Sequence, residues 1–480
     1  MKRRALVSVT NRDGLVELVT ALIQSNYEVV ATSGTARTLQ VSGIQVTSIS
    51  EVTGVAELAG GRVKSLHPNI FAGILCDRDS QEEMAELEHS HISPIDIVVV
   101  NLYDFASNPT IEAIDIGGTA LMRAAAKNHR FVTVLTHPNL YQEFIDSLPL
   151  GLSDHRRQEL AGIAFATTMQ YEMEIARHFA PSLRYGENPH QDGAIVGTSV
   201  GIAGAKRRDT NKSKLLSYNN LLDADAAWRA ASDHKQSTCA IIKHGNPCGI
   251  ASGESSLIAF KKALESDPVS SFGGVVAINA EVDENLAKNL SEIFLEVIVA
   301  PEFTPRAIEV LATRRELRLL QVDAKKHIPT VTGHFISGGL LLQEIDDVHS
   351  DPLDWELVAG DELNLEMMEE LRFAWRSIRS VKSNAIVIAK NQATVGIGMG
   401  QVSRVDAARL AVSHAGDRAQ GAFAASDGFF PFPDGAVELA RAGVRAIVQP
   451  GGSKRDNEVI ESMASMGVTM YLTGRRHFSH

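Results

Sequence analysis

Two periodicities alternate along roughly the first 150 residues of the chain. "RALVSV" is a continuous apolar run bounded by charge, which predicts a buried strand. "RDGLVELVTALIQS" then sets Leu15, Leu18, Val19 and Leu22 on one helical face. "YEVVAT" reads as a second strand and runs straight into "SGTARTLQVSG", a Ser/Gly/Thr turn opening a helix. "IDIVVVNLYDF" is a third strand, "IDIGGTALMRAAAKNH" a Gly-Gly turn followed by an Ala-rich helix, and "FVTVLT" closes the set. Apolar strands alternating with helices predict a parallel sheet covered on both faces. Ligands of such sheets sit beyond the C-terminal strand ends, at helix N-termini, which is where "TSGTA" and "DIGG" fall.

Residues 151–180 are helical and polar, and the Pro/Gly/Asn punctuation of "FAPSLRYGENPHQ" puts a domain boundary near residue 180. The basic run "GAKRRDTNKSK" (204–214) reads as a solvated loop. Beyond it the chain repeats itself. "DAAWRAASDHKQSTCAIIKH" and "RFAWRSIRSVKSNAIVIAK" each place a helical Ala-Trp-Arg ahead of an apolar strand that meets a lysine, and Trp228–Lys243 and Trp375–Lys390 share one spacing. The expected organisation is an α/β domain over 1–150, a helical connection over 151–180, and two related α/β units over 181–350 and 351–480.

Composition narrows the classes. With 44% hydrophobic and 22% charged residues over 480 positions, the chain is globular. Its net charge of −12 argues against a general nucleic-acid or anionic-membrane surface, so an anionic ligand needs locally clustered cations. No apolar stretch approaches the ~20 residues of a membrane helix, and "ALVSV" is too short for a signal peptide. Three cysteines, Cys76, Cys239 and Cys248, cannot make a disulfide framework, which fits a cytoplasmic protein.

"CAIIKHGNPCG" carries the sharpest chemical question. A histidine shortly before Pro-Cys is found in zinc deaminases, but there is no Cys-x-x-Cys and no His-x-Glu, so that metal set is incomplete. A small buried thiol is the simpler reading of Cys248. Lys243 and His244 then remain as a metal-free pair, His244 able to shuttle a proton near neutral pH and Lys243 to offset developing charge. In the N-terminal part Arg62, Lys64, His67, Tyr103, Asp115 and Lys127 gather in segments next to the two glycine turns. A lysine beside other cations can donate a proton or stabilise an oxyanion.

An ordered series of strings resembles one family from end to end: "SVTNRDG", "GRVKSLHP", "VNLYDF", "IDIGG", "AAAKNH", "LRYGENPHQ", "IIKHGNPCG", "VKSNAIV", "GQVSRVDAAR", "SDGFFPF", "QPGGSKRD" and the closing histidine. The family is the bifunctional purine-biosynthesis enzyme joining 5-aminoimidazole-4-carboxamide ribonucleotide (AICAR) formyltransferase to IMP cyclohydrolase. The resemblance implies a methylglyoxal-synthase-like N-terminal domain carrying the cyclohydrolase. It also implies a C-terminal formyltransferase made of two cytidine-deaminase-like units that works without zinc. The implied cosubstrate is 10-formyltetrahydrofolate, with AICAR, formyl-AICAR, IMP and reduced folate as ligands and a homodimer as the assembly.

By position, the resemblance assigns Lys243 and His244 to formyl transfer, with Asn384 orienting the formyl oxygen. Arg184, Tyr185, Asn220, Gly274, Glu296, Arg404, Arg476 and His480 match nucleotide contacts, and Asp434 with the Phe429–Phe430 segment matches the folate or imidazole surroundings. Lys64, Tyr103, Asp115 and Lys127 match the cyclohydrolase reaction centre. Thr10, Arg12, Ser33, Gly34, Thr35, Arg62, Ser65, Asn101, Gly117 and Gly118 match its nucleotide contacts. Departures from the family pattern are Arg12 for lysine, Ser33 for glycine, Ser65 for threonine, Phe71 for histidine, Asp104 for proline, and a trimmed loop after residue 105. Ser33 is tolerable only with negative φ. Two other readings stay open here: a formyltransferase whose N-terminal domain is a regulatory nucleotide binder, and a catalytically dead ligand sensor.

Overall fold

The computed structural model describes residues 3–56, 58–197, 200–209, 215–323, 330–346 and 355–480, so part of the basic run at 204–214 lies outside the described residues. The chain divides into two compact units, Met1–Ala180 and Pro181–His480.

The first unit alternates as its periodicity predicts: β1 Arg3–Ser8, α1 Leu15–Gln24, β2 Tyr27–Ala31, α2 Ser33–Val41, β3 Thr47–Ser48 and α3 Ile49–Thr53. There follow α4 Pro68–Leu75, α5 Gln81–His89, β4 Ile97–Val100, α6 Gly117–Lys127, β5 Thr133–Leu135, α7 Tyr141–Ser147 and α8 Asp154–Phe179. The five strands form a parallel sheet in the order β3-β2-β1-β4-β5. Leu6 of β1 sits opposite Val30 on one side and Val98 on the other, all fully buried. Strand order reverses between β1 and β4, and the crevice beyond the C-terminal ends of those two strands is where such a sheet takes its ligand. Helix α8 is more than a connection. Leu160, Ala161 and Ala164 join the core of this unit, small side chains letting α8 lie against the Ala-rich α6.

The second unit is a duplication. Its first half runs β6 Lys206–Arg207, α9 Tyr218–Ser232, β7 Ser237–Lys243, β8 Asn246–Gly253, α10 Ser256–Ser266 and β9 Gly274–Ile278. That half ends with α11 Glu284–Leu290, β10 Leu295–Ala300, α12 Pro305–Leu311 and β11 Arg318–Gln321. An intervening hairpin, β12 Val331–Ile336 and β13 Gly339–Glu344, precedes the second half. The latter runs β14 Glu356–Ala359, α13 Leu365–Ile378, β15 Ile386–Ala389, β16 Thr394–Gly398, α14 Arg404–Ala415 and β17 Phe423–Ser426. It closes with α15 Asp434–Arg441, β18 Ala446–Gln449, α16 Asp456–Ser465 and β19 Thr469–Leu472.

The two sheets, β6-β11-β10-β9-β7-β8 and β14-β19-β18-β17-β15-β16, have the same order and the same mixture of parallel and antiparallel pairs. Trp228 on α9 and Trp375 on α13 occupy one shared core with inward residues of both sheets. Burying a large apolar side chain is worth about 1.5–3 kcal/mol, so these helices tie the halves together. Edge strands β8 and β16 meet through the Ala251–Ala393 bridge.

Candidate active sites

In the second unit, β7 and β8 pair antiparallel and are joined by only His244 and Gly245. Their φ values are 54° and 73°, the left-handed pair that a type I′ hairpin turn requires. The sequence predicts a Gly/Asn/Pro turn after His244. Instead the turn is His-Gly itself, and Asn246 and Pro247 already belong to β8. Proline is tolerated there because β8 is an edge strand of its sheet. A carboxylate on α9 fastens the turn: Asp223 accepts from the backbone N–H of His244 at 3.2 Å and of Gly245 at 2.7 Å. The Lys243 ammonium donates to the Phe272 carbonyl at 2.8 Å.

Lys243 and His244 line a cavity of about 430 Å³ with Asn246, Cys248, Asp267 and His414. Cys248 is buried, and burial pushes its thiol up to about 11, which disfavours the thiolate a metal would need. Among the described residues no group of three His, Cys, Asp or Glu side chains is placed to hold a metal ion.

Asn384, Arg404, Phe429 and Asp434 line a second cavity, of about 510 Å³, together with Phe432 and Phe478. The carbonyl of Asn384 accepts from Arg404 at 2.8 Å, which leaves its amide N–H groups as donors. Arg404 is itself anchored on the fully buried Asp427. Two links of chain connect the cavities: Asn246, two residues past His244, accepts from the backbone N–H of Lys382, two residues before Asn384, at 3.1 Å. Burial lowers the Lys382 amine below the ordinary lysine value, and that amine donates to the carbonyl of His480.

Other positions matched by resemblance have partners within the chain. Asn220 is buried and forms a capping box with Ser217 at the start of α9. Gly274 opens β9, where an added Cβ would meet the Ser271 carbonyl at 3.1 Å. Glu296 pairs at 2.7 Å with the buried Arg318. Phe430 is fully buried in the core, whereas its neighbour Phe429 is partly exposed and lines the second cavity. Arg184 stacks over Tyr185 and Arg476 over Phe478, at 5.3 and 4.6 Å to the ring centroids.

In the first unit the residues beyond β1 and β4 meet at the switch point. Asn101 accepts from the backbone N–H of Thr10 (2.6 Å) and of Asn11 (3.0 Å), and its amide donates to the Asn11 carbonyl at 3.0 Å. Thr35 is buried and accepts from the Val9 N–H at 3.2 Å. Ser33 and Gly34 form the first turn of α2, so Ser33 is helical and the missing glycine costs nothing. Arg12 is exposed. Arg62 pairs with Glu112 at 2.7 Å, both largely in solvent.

Asp115 accepts from the Gly118 N–H at 2.6 Å and from the backbone of Tyr103. Burial raises its carboxyl above the usual aspartate value, while those two amides and the nearby Lys64 charge pull the other way. The glycine pair exists for close approach: a Cβ on Gly117 would lie 2.6 Å from the Ser65 hydroxyl, and one on Gly118 2.6 Å from the Asp115 carboxylate. Lys127 is exposed and stands at the far end of the helix that the Gly-Gly turn opens. It ends α6, ten residues from Gly117, a rise of about 15 Å.

Sequence reasoning missed Tyr171. Its hydroxyl accepts from the Asp115 N–H at 2.7 Å and donates to the Ala113 carbonyl at 2.8 Å, pinning the loop that carries the carboxylate. Nothing in the local sequence signals it. Asp223 was findable: it precedes Trp228 by the same interval that separates Glu370 from Trp375 in the other half.

Comparison with known proteins decides the family. Residues 125–414 match the AICARFT/IMPCHase bienzyme family and residues 14–129 the MGS-like domain. The chain belongs to the AICARFT/IMPCHase bienzyme family. A protein of Corynebacterium glutamicum named "Bifunctional purine biosynthesis protein PurH" is 47% identical, covering 100% of this chain and 98% of its own. One of Mycobacterium marinum with the same name is 45% identical over the same shares. The solved structure of ForH overlaps 37% of this chain and 100% of its own at 32% identity, with a TM-score of 0.35.

Proposed function

We propose a division of labour for the two activities of this bienzyme, AICAR formyl transfer and IMP cyclisation in purine biosynthesis. Formyl transfer belongs to the second unit and cyclisation to the first. The observation that carries the assignment is the left-handed His244 turn, which holds an imidazole beside a lysine at the wall of an open cavity.

In formyl transfer the 5-amino nitrogen of AICAR attacks the formyl carbon of 10-formyltetrahydrofolate. His244 accepts the proton released as the new C–N bond forms. The N–H groups of Asn384, oriented by Arg404, stabilise the formyl oxygen as it gains charge. The bond to folate nitrogen then breaks, and tetrahydrofolate leaves with a proton. Lys243 adds positive charge near the reacting centre. These steps use side chains alone, and the raised Cys248 thiol supports a reaction that needs no bound metal.

In cyclisation the carboxamide nitrogen of formyl-AICAR attacks its own formyl carbon and water is lost. Asp115 orients the nitrogen, Lys64 stabilises the oxyanion, and Tyr103, half exposed at the mouth of the crevice, relays a proton. Thr10, Ser33, Gly34, Thr35 and Arg62, matched to the family's nucleotide contacts, are assigned to the phosphate and sugar. We extend the reading to a cytoplasmic homodimer on the strength of family membership, to be checked by light scattering of the purified chain.

A coupled assay tests the whole: AICAR and 10-formyltetrahydrofolate in, IMP and tetrahydrofolate out, with chelator present. Turnover abolished by chelator and restored by a metal ion overturns the metal-free reading. Formyl-AICAR that accumulates without IMP overturns the cyclohydrolase assignment and leaves the first unit as a nucleotide binder.

A further inference from the structure

His244 is a residue in a conformation it does not favour. Left-handed φ at a residue with a Cβ persists only where the surroundings hold it. What holds it is Asp223, whose two carboxylate oxygens each take one amide of the turn. The same device recurs at the same place in the second half. There Asn391 and Gln392 have φ of 57° and 56°, and Glu370 on α13 accepts from the Gln392 N–H at 3.0 Å. A carboxylate on the packed helix is therefore how this fold secures a left-handed hairpin end, whichever side chains the end presents.

We propose that Asp223 is the positioning residue of formyl transfer: it locks the His244–Gly245 turn so that the imidazole stays at the cavity wall. The inference rests on His244 being the proton acceptor. Without the carboxylate the two amides turn to water, the turn relaxes toward ordinary backbone angles, and the imidazole leaves its place. Substrate contacts made elsewhere, on Arg404 or Phe429, are untouched, so the loss falls on kcat rather than on KM.

The test uses the full-length protein and four variants: Asp223→Ala, Asp223→Glu, Glu370→Ala and His244→Ala. Asp223→Ala is expected to lower kcat for formyl transfer about 100-fold, the scale of a small misplacement of a reacting group. KM for AICAR stays within about threefold and cyclisation is unchanged. Asp223→Glu, which imports the second half's solution, recovers most of the rate. Glu370→Ala lowers thermal stability while keeping formyl transfer near its normal rate.

A formyl-transfer kcat within threefold of normal in Asp223→Ala overturns the proposal. So does loss of cyclisation and thermal stability together in both Asp223 variants, which makes the role purely structural. His244→Ala separates the two failures. If it keeps full formyl transfer, the underlying site reading is wrong; if it is inactive while Asp223→Ala is normal, only the positioning role is wrong.

Discussion

The hairpins β7–β8 and β15–β16 carry the same lysine, the same left-handed turn and the same kind of carboxylate fastener. Lys243 donates to the Phe272 carbonyl and Lys390 to that of Gln420, each in the loop ahead of the next strand. Their surroundings differ. The Asn391 carbonyl accepts from Lys262 at 3.0 Å and the Gln392 carbonyl from the Ser252 N–H at 2.8 Å, so the second turn is stitched to the first half. The first turn lines a cavity instead. Duplication thus supplied one well-held turn twice. The copy that lines a cavity is the one that carries an imidazole.

The harshest trial of this contrast is His244→Ala against Asn391→Ala. The first should lower formyl-transfer kcat about 1,000-fold, within the usual range for a general base. The second should leave it within about twofold, as read by steady-state kinetics. Equal losses would dissolve the distinction between the turns. Next comes the lysine pair. Lys243→Ala should cost about 100-fold in rate, whereas Lys390→Ala should cost only its hydrogen bond, about 1 kcal/mol in denaturant unfolding.

A first-unit variant sharpens the contrast from outside. Tyr171→Phe strands the Asp115 N–H and should lower cyclisation about tenfold, from a buried amide penalty of about 1–3 kcal/mol; formyl transfer should not move.

The pH profile gives a gentler check. Because burial raises Asp115, cyclisation should lose its ionised carboxylate on acidification at a higher pH than an exposed aspartate would. The folded-state value lies above the unfolded one, so this group favours folding at low pH and that contribution fades as pH rises through the raised value. Asp115→Asn should remove this acid limb from cyclisation and leave the formyl-transfer profile unchanged. Smallest of all, Lys262→Ala should trim stability by about 0.5–1 kcal/mol, the scale of one exposed hydrogen bond, without touching either rate.

The sheet of the first unit and the duplication of the second were both legible, because strand and helix periods are written into "ALVSV", "IVVV" and the Trp-to-Lys spacing. The hairpin end at His244 was not. His-Gly is not one of the usual Asn-Gly or Asp-Gly turn signals, and Asn-Pro straight after it diverts attention to the wrong residues. Distances along a helix were also hidden. Asp115 and Lys127 belong to one motif-rich segment, yet Asp115 lies just ahead of α6 and Lys127 is its last residue. Asn220, Gly274 and Glu296 stand beside informative strings, which do not reveal that they also form a cap, a tight approach and an ion pair. A sequence names side chains without naming their partners in the fold.

The meeting of β8 with β16 has a consequence for handling the protein. A lone sheet offers its outermost strands to any passing chain, an invitation to aggregate. Here two such borders close on each other through Ala251 and Ala393, with Thr394 bonded to both the N–H and the carbonyl of Ile250. The opposite borders, β6 and β14, are only two and four residues long. A half expressed alone would bare its long border and should precipitate, so the duplicated module is best produced as one piece.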